Sequence, residues 1–117
     1  MATFKRNMIE LVTGVREDGE YEIKKYFTPN FIPFSIVYEA VDLNEKMVKN
    51  KFESEKAQFD ELLEFVTNRI YGNQFSKEDL LNGLHAPEAI STLENQITFI
   101  AQGKQSDETK KFLAKKH

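Results

Sequence analysis

The sequence contains no cysteine and no tryptophan, and only five glycines and three prolines. The absence of cysteine excludes a disulfide framework, a thiolate nucleophile and any zinc site built on cysteine, and it is typical of a reducing compartment. No apolar run approaches the roughly 20 residues of a membrane span. Residues 1–6 carry no long apolar run behind their charges, so we expect no secretory signal. These absences predict a cytoplasmic protein without a membrane partner.

The chain also lacks a strong excess of positive charge. Its net charge is −3, so nothing favours nucleic acid, whose phosphates require clustered Lys and Arg. Five lysines against two acids give residues 104–117 a charge of +3, which leaves −6 for residues 1–103. Because a short charged terminus is usually solvated, and this one is polar apart from Phe112 and Leu113, residues 104–117 are predicted to form a flexible basic tail.

Two segments near the start have the character of strands. Residues 4–13 place apolar side chains on both faces, whereas residues 20–27 alternate more regularly between polar and apolar. Asp18-Gly19 lies between them, and this dipeptide is typical of hairpin turns. The sequence therefore predicts a β-hairpin over residues 4–27, which has to pack against other elements because a lone hairpin is marginal in water.

Apolar residues with helical spacing occupy the rest of residues 1–103. Four helices are predicted, over residues 33–50, 54–71, 76–83 and 87–103. The first is either continuous or broken at residues 42–44, and its apolar positions are Ile36, Val37, Ala40, Val41, Met47 and Val48. The predicted fold class is α+β, mostly α: one domain over residues 1–103, with an N-terminal hairpin followed by about four helices in a small bundle.

Candidates for catalysis or metal binding are few. The two histidines are His117, the last residue, and His85, which lies in a turn between two predicted helices. Asp79 and Glu88 are the acids near His85, and three such residues are a weak pattern for a metal or acid–base site. No phosphate-binding glycine loop, GxSxG serine or zinc-ligand spacing occurs. We expect no enzyme, metal or cofactor; an enzyme using Asp79, His85 and Glu88 is the remote alternative.

The aromatic residues are more informative, because ten phenylalanines and four tyrosines are many for a chain of 117 residues. Several crowd the junction between the hairpin and the first helix, and others flank the second helix. A small domain buries only part of such a set, and an exposed remainder marks a partner site. For any single aromatic residue, a place in the core is slightly more expected than a contact with a partner. The predicted partner-binding residues are Phe27, Phe31, Phe34, Phe52 and Tyr71.

The order of elements and the sequence of the central helices resemble a known family. The shared features are an acidic helix containing Leu-Leu-x-Phe-Val, its ending FVTNRIYGNQF at residues 65–75, and a short acidic helix, SKEDLLNGL, at residues 76–84. A last helix ends at Gly103. Over roughly residues 5–103 the chain resembles the tail assembly chaperones of long-tailed bacteriophages, the G and G–T proteins.

This resemblance implies a non-enzymatic protein that binds the tape measure protein, and tail tube subunits, before the tube polymerises around the tape. It implies action in the host cytoplasm and absence from the mature virion, and it carries over no specific site residue. The expected contact is of the helix-in-groove kind, with self-association as a further expectation because many copies would coat a long helix. The alternative function is a small non-enzymatic interaction adaptor of a phage or bacterium.

Overall fold

The computed structural model describes residues 5–115, without the side chains of Glu108 and Lys115. In chain order its elements are β1 Met8–Val15, β2 Tyr21–Phe27, α1 Ser35–Val48, α2 Glu55–Glu64, a π-helical segment Phe65–Ile70, α3 Lys77–Gly83, α4 Ala86–Gln102 and α5 Asp107–Lys115. The predicted fold class, α+β and mostly α with an N-terminal hairpin, is confirmed. Residue 4, where the first strand was predicted to begin, lies outside the described residues.

The hairpin is antiparallel, with Met8 opposite Phe27 and Val15 opposite Tyr21. Its turn contains Gly19 at φ 90°, a conformation that residues with a Cβ rarely adopt. The first half of β1 is buried, whereas β2 is exposed except at its end. β1 is therefore the strand that packs on the helices. Helix α3 approaches it closely at Gly83, where an added Cβ would lie 3.0 Å from both the Leu11 Cβ and the Val12 carbonyl oxygen.

The four predicted helices are present, and local sequence signals set their ends. Helix α1 is continuous through residues 42–44, with Leu43 in the core. The predicted helix 54–71 begins at Ser54, whose side chain accepts from the Ala57 amide, but it ends as the π-helical segment. Helix α3 has a capping box between Ser76 and Asp79. Buried apolar residues from these elements and β1 form one core that includes Leu11, Ile36, Ala40, Leu43, Leu62, Val66, Ile70, Leu80, Leu93 and Ile97.

A set of buried polar side chains joins the hairpin to the helices. Gln96 of α4 donates from Nε2 to the Met8 carbonyl at 3.0 Å, and its Oε1 accepts from Asn7 Nδ2 at 3.1 Å and from the Tyr71 hydroxyl. The Asn7 amide donates to Thr28 Oγ1 at 3.1 Å, and the Thr28 amide donates back to the Asn7 carbonyl at 2.9 Å. We call Asn7, Thr28, Tyr71, Gln96, Ser106 and Thr109 the polar cluster.

The polar cluster also holds the residues that follow Gly103. Asn7 Oδ1 accepts from the Ser106 amide at 2.9 Å and from Thr109 Oγ1 at 2.7 Å, and Thr109 Oγ1 accepts from the Met8 amide at 3.0 Å. Helix α5 follows, so up to residue 115 the structure has a docked helix where the sequence predicted a flexible tail. The prediction missed it because most of the attachment consists of hydrogen bonds between residues far apart in the sequence, which hydrophobic periodicity does not register. Residues 116–117 of that tail lie outside the described part.

Substitution of Gln96 tests the polar cluster. Gln96→Ala removes three hydrogen bonds and leaves Asn7 Nδ2, the Tyr71 hydroxyl and the Met8 carbonyl buried without that partner. We expect the free energy of unfolding to fall by about 3 kcal/mol, measured by urea denaturation. Asn95→Ala, at the exposed neighbouring position, is the control and should change it by less than about 0.5 kcal/mol. Equal stability of the two variants would contradict the structural role of Gln96.

A second substitution tests the docking of α5. Thr109→Val keeps the shape of the side chain but removes the hydroxyl that accepts from the Met8 amide. We expect a loss of about 1–2 kcal/mol of stability and faster hydrogen exchange at the Met8 amide. Lys110→Ala, at the exposed adjacent position, is the control. If Thr109→Val behaves like the control in both measurements, α5 is not held as described.

Candidate protein-binding surface

Helix α1 carries apolar side chains on two opposite faces. Its core face consists of Ile36, Ala40 and Leu43. At 100° per residue, four further apolar residues fall in one row on the opposite face. We call this row the α1 ridge: Phe34, Tyr38, Val41 and Val48. Phe34 is 70% exposed and Val48 is 78% exposed. A helix that is apolar on its outer as well as its inner face is typical of a surface that binds another protein.

The aromatic end of the α1 ridge is ordered by its own contacts. The rings of Phe34 and Tyr38 lie one helical turn apart, with centroids 5.4 Å from each other and planes at 61°. This edge-to-face arrangement is favourable for aromatic pairs. Because the rings already hold each other in place, a partner that packs on them loses less side-chain entropy on binding.

One flank of the α1 ridge borders a groove of about 510 Å³ between α1 and the α2–π segment. We call it the acidic groove. It is lined by Glu39, Asp42, Leu43, Lys46, Glu61, Glu64, Phe65, Asn68 and Arg69. Leu43 and Phe65 are nearly buried and provide its apolar base. The groove thus combines an apolar base with charged walls.

Two ion pairs cross the acidic groove from α1. Arg69 donates from Nε and Nη2 to the two carboxylate oxygens of Glu39 at 2.9 and 2.7 Å, and Lys46 Nζ lies 2.6 Å from Glu61 Oε1. Hydrogen bonding to Glu39 and its charge raise the pKa of the Arg69 guanidinium above its ordinary value. Both cationic side chains that line the groove, those of Lys46 and Arg69, are therefore already paired with carboxylates of the same chain.

The remaining acids of the groove are not neutralised. Asp42 and Glu64 form no ion pair or hydrogen bond through their side chains with any residue in the part of the chain that the structure describes. The groove has four carboxylates against two cations, so a charge of about −2 faces a partner.

The other flank of the α1 ridge borders a cleft of about 250 Å³ at the junction between hairpin and helices. We call it the junction cleft. It is lined by Lys5, Asn30, Phe31, Ile32, Pro33, Val37, Phe99 and Ile100. Phe31 at this cleft is largely exposed. The α1 ridge therefore stands between an acidic groove and a mainly apolar cleft, which is a suitable shape for receiving a helix.

The structure separates the five residues predicted to bind a partner. Phe31 and Phe34 are exposed at the junction cleft and on the α1 ridge. Phe52 is partly buried, with Lys46 Nζ 4.8 Å from the centre of its ring. Phe27 is also partly buried, its ring centre 5.6 Å from that of Phe112. These two lie at the margin of the protein surface.

Tyr71 does not fit its predicted role, because it is 0% exposed. Its hydroxyl donates to Gln96 in the polar cluster, and its ring packs against Phe75 with centroids 5.2 Å apart. Burial raises the pKa of the Tyr71 phenol above its ordinary value. In this conformation Tyr71 is a core residue.

Sequence reasoning did not name Tyr38 as a candidate surface residue, and it gave Val41 and Val48 only as apolar positions of the first helix. At 100° per residue, Val41 points about 140° away from the core residue Ile36, so the two lie on different faces of the helix.

The candidates for catalysis are not brought together. Asp79 accepts from the Ser76 amide at 2.9 Å and so caps α3. His85 and Glu88 line a pocket of about 210 Å³ beside the hairpin, and Asp79 is not among its lining residues. Over residues 5–115, no group of three or more His, Cys, Asp or Glu residues is arranged to hold a metal ion. In the same range no helix is long and apolar enough to cross a membrane.

Comparison with known proteins identifies the family. No curated protein and no solved structure matches the chain. A family model described as phage tail chaperone protein matches residues 3–117, which includes the hairpin, the α1 ridge and α5. This match confirms the resemblance found in the sequence. The chain belongs to the phage tail chaperone family.

Proposed function

We propose that this protein is a tail assembly chaperone that binds the tape measure protein, and tail tube subunits, in the host cytoplasm before the tail is built. It acts by covering apolar helical segments rather than by catalysis, and it leaves before the virion is complete. The observation that carries this proposal is the exposed α1 ridge in a member of the phage tail chaperone family. The ridge alone would also suit a general interaction adaptor, but family membership favours tail assembly.

The α1 ridge has the dimensions for packing against a helix. Phe34 and Val48 are 14 residues apart, which corresponds to about 21 Å, or four turns, along a helix. Helices in contact lie about 8–10 Å apart, so a helix placed along the ridge would cover all four of its side chains. The apolar stripe of the partner helix, which would otherwise promote aggregation or premature polymerisation, would thereby be shielded from water.

Burial of the α1 ridge gives moderate affinity for one copy. A fully buried side chain of this size contributes about 1.5–3 kcal/mol, and these four are already partly covered. Association costs about 4–15 kcal/mol of translational and rotational freedom. A single ridge therefore binds reversibly, and tight binding to a long helix requires several copies side by side. Reversible binding and self-association along the tape both suit a chaperone that is displaced by the tail tube.

The contact set we propose is Phe31, Phe34, Tyr38, Val41 and Val48. Phe31 extends the α1 ridge towards the junction cleft. Phe27 and Phe52 come second because both are partly buried by contacts within the chain. Tyr71 is left out because it is in the core.

Co-expression tests this proposal. The protein is expressed together with the tape measure protein encoded by the same phage genome, and the soluble fraction of the tape measure protein is measured. We expect the wild type to raise that fraction. The double variant Phe34→Ala, Tyr38→Ala should lose most of the effect, because truncation of aromatic anchor residues typically weakens binding about tenfold or more.

The matched control for this experiment is Leu81→Ala. Leu81 is 60% exposed on α3 and belongs to neither the α1 ridge nor its two flanking grooves. Circular dichroism of each variant verifies that it is folded. If the wild type gives no rise in soluble tape measure protein, the proposed function is wrong. A rise that survives in the double variant would show that the contact lies elsewhere.

A further inference from the structure

We infer that the α1 ridge and the acidic groove together select one class of partner: an amphipathic helix whose apolar stripe is flanked along one side by Lys or Arg. This inference rests on the proposed function of the α1 ridge, and it adds the charge and the direction of the helix that the ridge receives.

The placement follows from the geometry of α1. At 100° per residue, Asp42 and Lys46 lie on one side of the α1 ridge and Val37 lies on the other. Asp42 and Lys46 line the acidic groove, and Val37 lines the junction cleft. A helix that packs along the ridge therefore has one of its edges over the acidic groove and the other over the junction cleft.

The charge of the partner follows from the ion pairs of this flank. Four carboxylates line the groove, those of Glu39, Asp42, Glu61 and Glu64, and a fifth, that of Glu45, lies in the row of the α1 ridge itself. Three cations face them, and each is already paired within the chain: Arg69 with Glu39, Lys46 with Glu61, and Lys49 with Glu45. The carboxylates that remain for a partner are those of Asp42 and Glu64.

The apolar base of the groove favours Lys and Arg over a small cation. Their aliphatic stems pack on apolar surface while the charged head stays at its edge. A stem lying over Leu43 and Phe65 would place its head between Asp42 on α1 and Glu64 on α2. An acidic side chain at the same position would be repelled. An apolar one would cover two carboxylates without pairing them, which is also unfavourable.

The two flanks also determine the direction of the bound helix. The residues lining the junction cleft include one charged residue, Lys5, whose Nζ donates to the Gly103 carbonyl at 2.9 Å. Reversing the direction of a helix on the ridge exchanges its two edges. A helix that is basic along one edge only can place that edge over the acidic groove in just one of the two directions, and this is the direction we expect it to bind in.

Three synthetic helical peptides of about three heptads serve as probes. They share one apolar stripe, and one edge carries Lys, Gln or Glu. Binding to the full chain is measured by fluorescence anisotropy in 0.1 M and 1 M salt, where the screening length falls from about 10 Å to about 3 Å. At low salt we expect the Lys peptide to bind about tenfold more tightly than the Gln peptide. We expect the Glu peptide to bind about tenfold more weakly than the Gln peptide. High salt should reduce both differences.

Two double variants assign the preference to the groove. Asp42→Asn with Glu64→Gln retains the shapes of the side chains and should abolish the preference while leaving the affinity for the Gln peptide within about twofold. Glu88→Gln with Glu94→Gln makes the same change of net charge on α4, away from the groove, and should retain the preference. Persistence of the preference in the first variant, or its loss in the second, would overturn the inference.

The same experiment separates this inference from the proposed function. If the three peptides bind equally and all lose affinity with Phe34→Ala, Tyr38→Ala, the α1 ridge binds helices and the selection by charge is overturned. If none binds the wild-type chain, the ridge does not receive a helix, and the inference fails together with the proposed mode of binding.

Discussion

The side-chain amide of Gln96 is the contact on which the arrangement of the other elements depends. Its nitrogen donates to β1 and its oxygen accepts from Asn7 and Tyr71, so one carboxamide joins α4, the hairpin and the residue after the π-helical segment. Asn7 in turn accepts hydrogen bonds from the Ser106 amide and from the Thr109 hydroxyl, which connects this network to α5. Buried polar groups are costly when unpaired and mutually reinforcing when fully paired. The hairpin, which is too small to be stable alone, therefore has a single favourable position on the helices.

The core and the polar cluster together stabilise the fold, and the outer face of α1 belongs to neither. The core face of α1 packs into the bundle, and the polar cluster fixes the hairpin and α5 elsewhere. The α1 ridge contributes little to stability because its side chains remain largely in water. Exposed aromatic and β-branched side chains in a row carry a risk of aggregation. Their presence is best explained by a partner, and membership of the phage tail chaperone family indicates what kind of process that partner belongs to.

Local sequence signals predicted most of the fold. The hairpin turn at Asp18-Gly19 and the end of the last predicted helix at Gly103 each depend on neighbouring residues, and both were predicted from them. The polar cluster was not predicted, because it pairs residues that are far apart: Asn7 and Thr109 are separated by 102 positions. Hydrophobic periodicity gives no weight to such contacts. For this reason α5 was taken for a loose tail, and buried Tyr71 was taken for a surface contact.

Two of the five residues predicted to bind a partner, Phe31 and Phe34, are exposed in the structure. Phe31 and Phe34 were expected to be exposed because too many aromatics crowd the start of α1. The acids of α2 have different surroundings in the structure: Asp60 pairs with Lys77 of α3 at 2.9 Å, whereas Glu64 lines the groove that Asp42 of α1 also lines. Two carboxylates on different helices come to line one groove only in the folded chain, so sequence patterns do not pair them. Since such exposed charges contribute about 1 kcal/mol or less per pair, in the proposed complex they would affect the choice and direction of a bound helix more than its overall affinity.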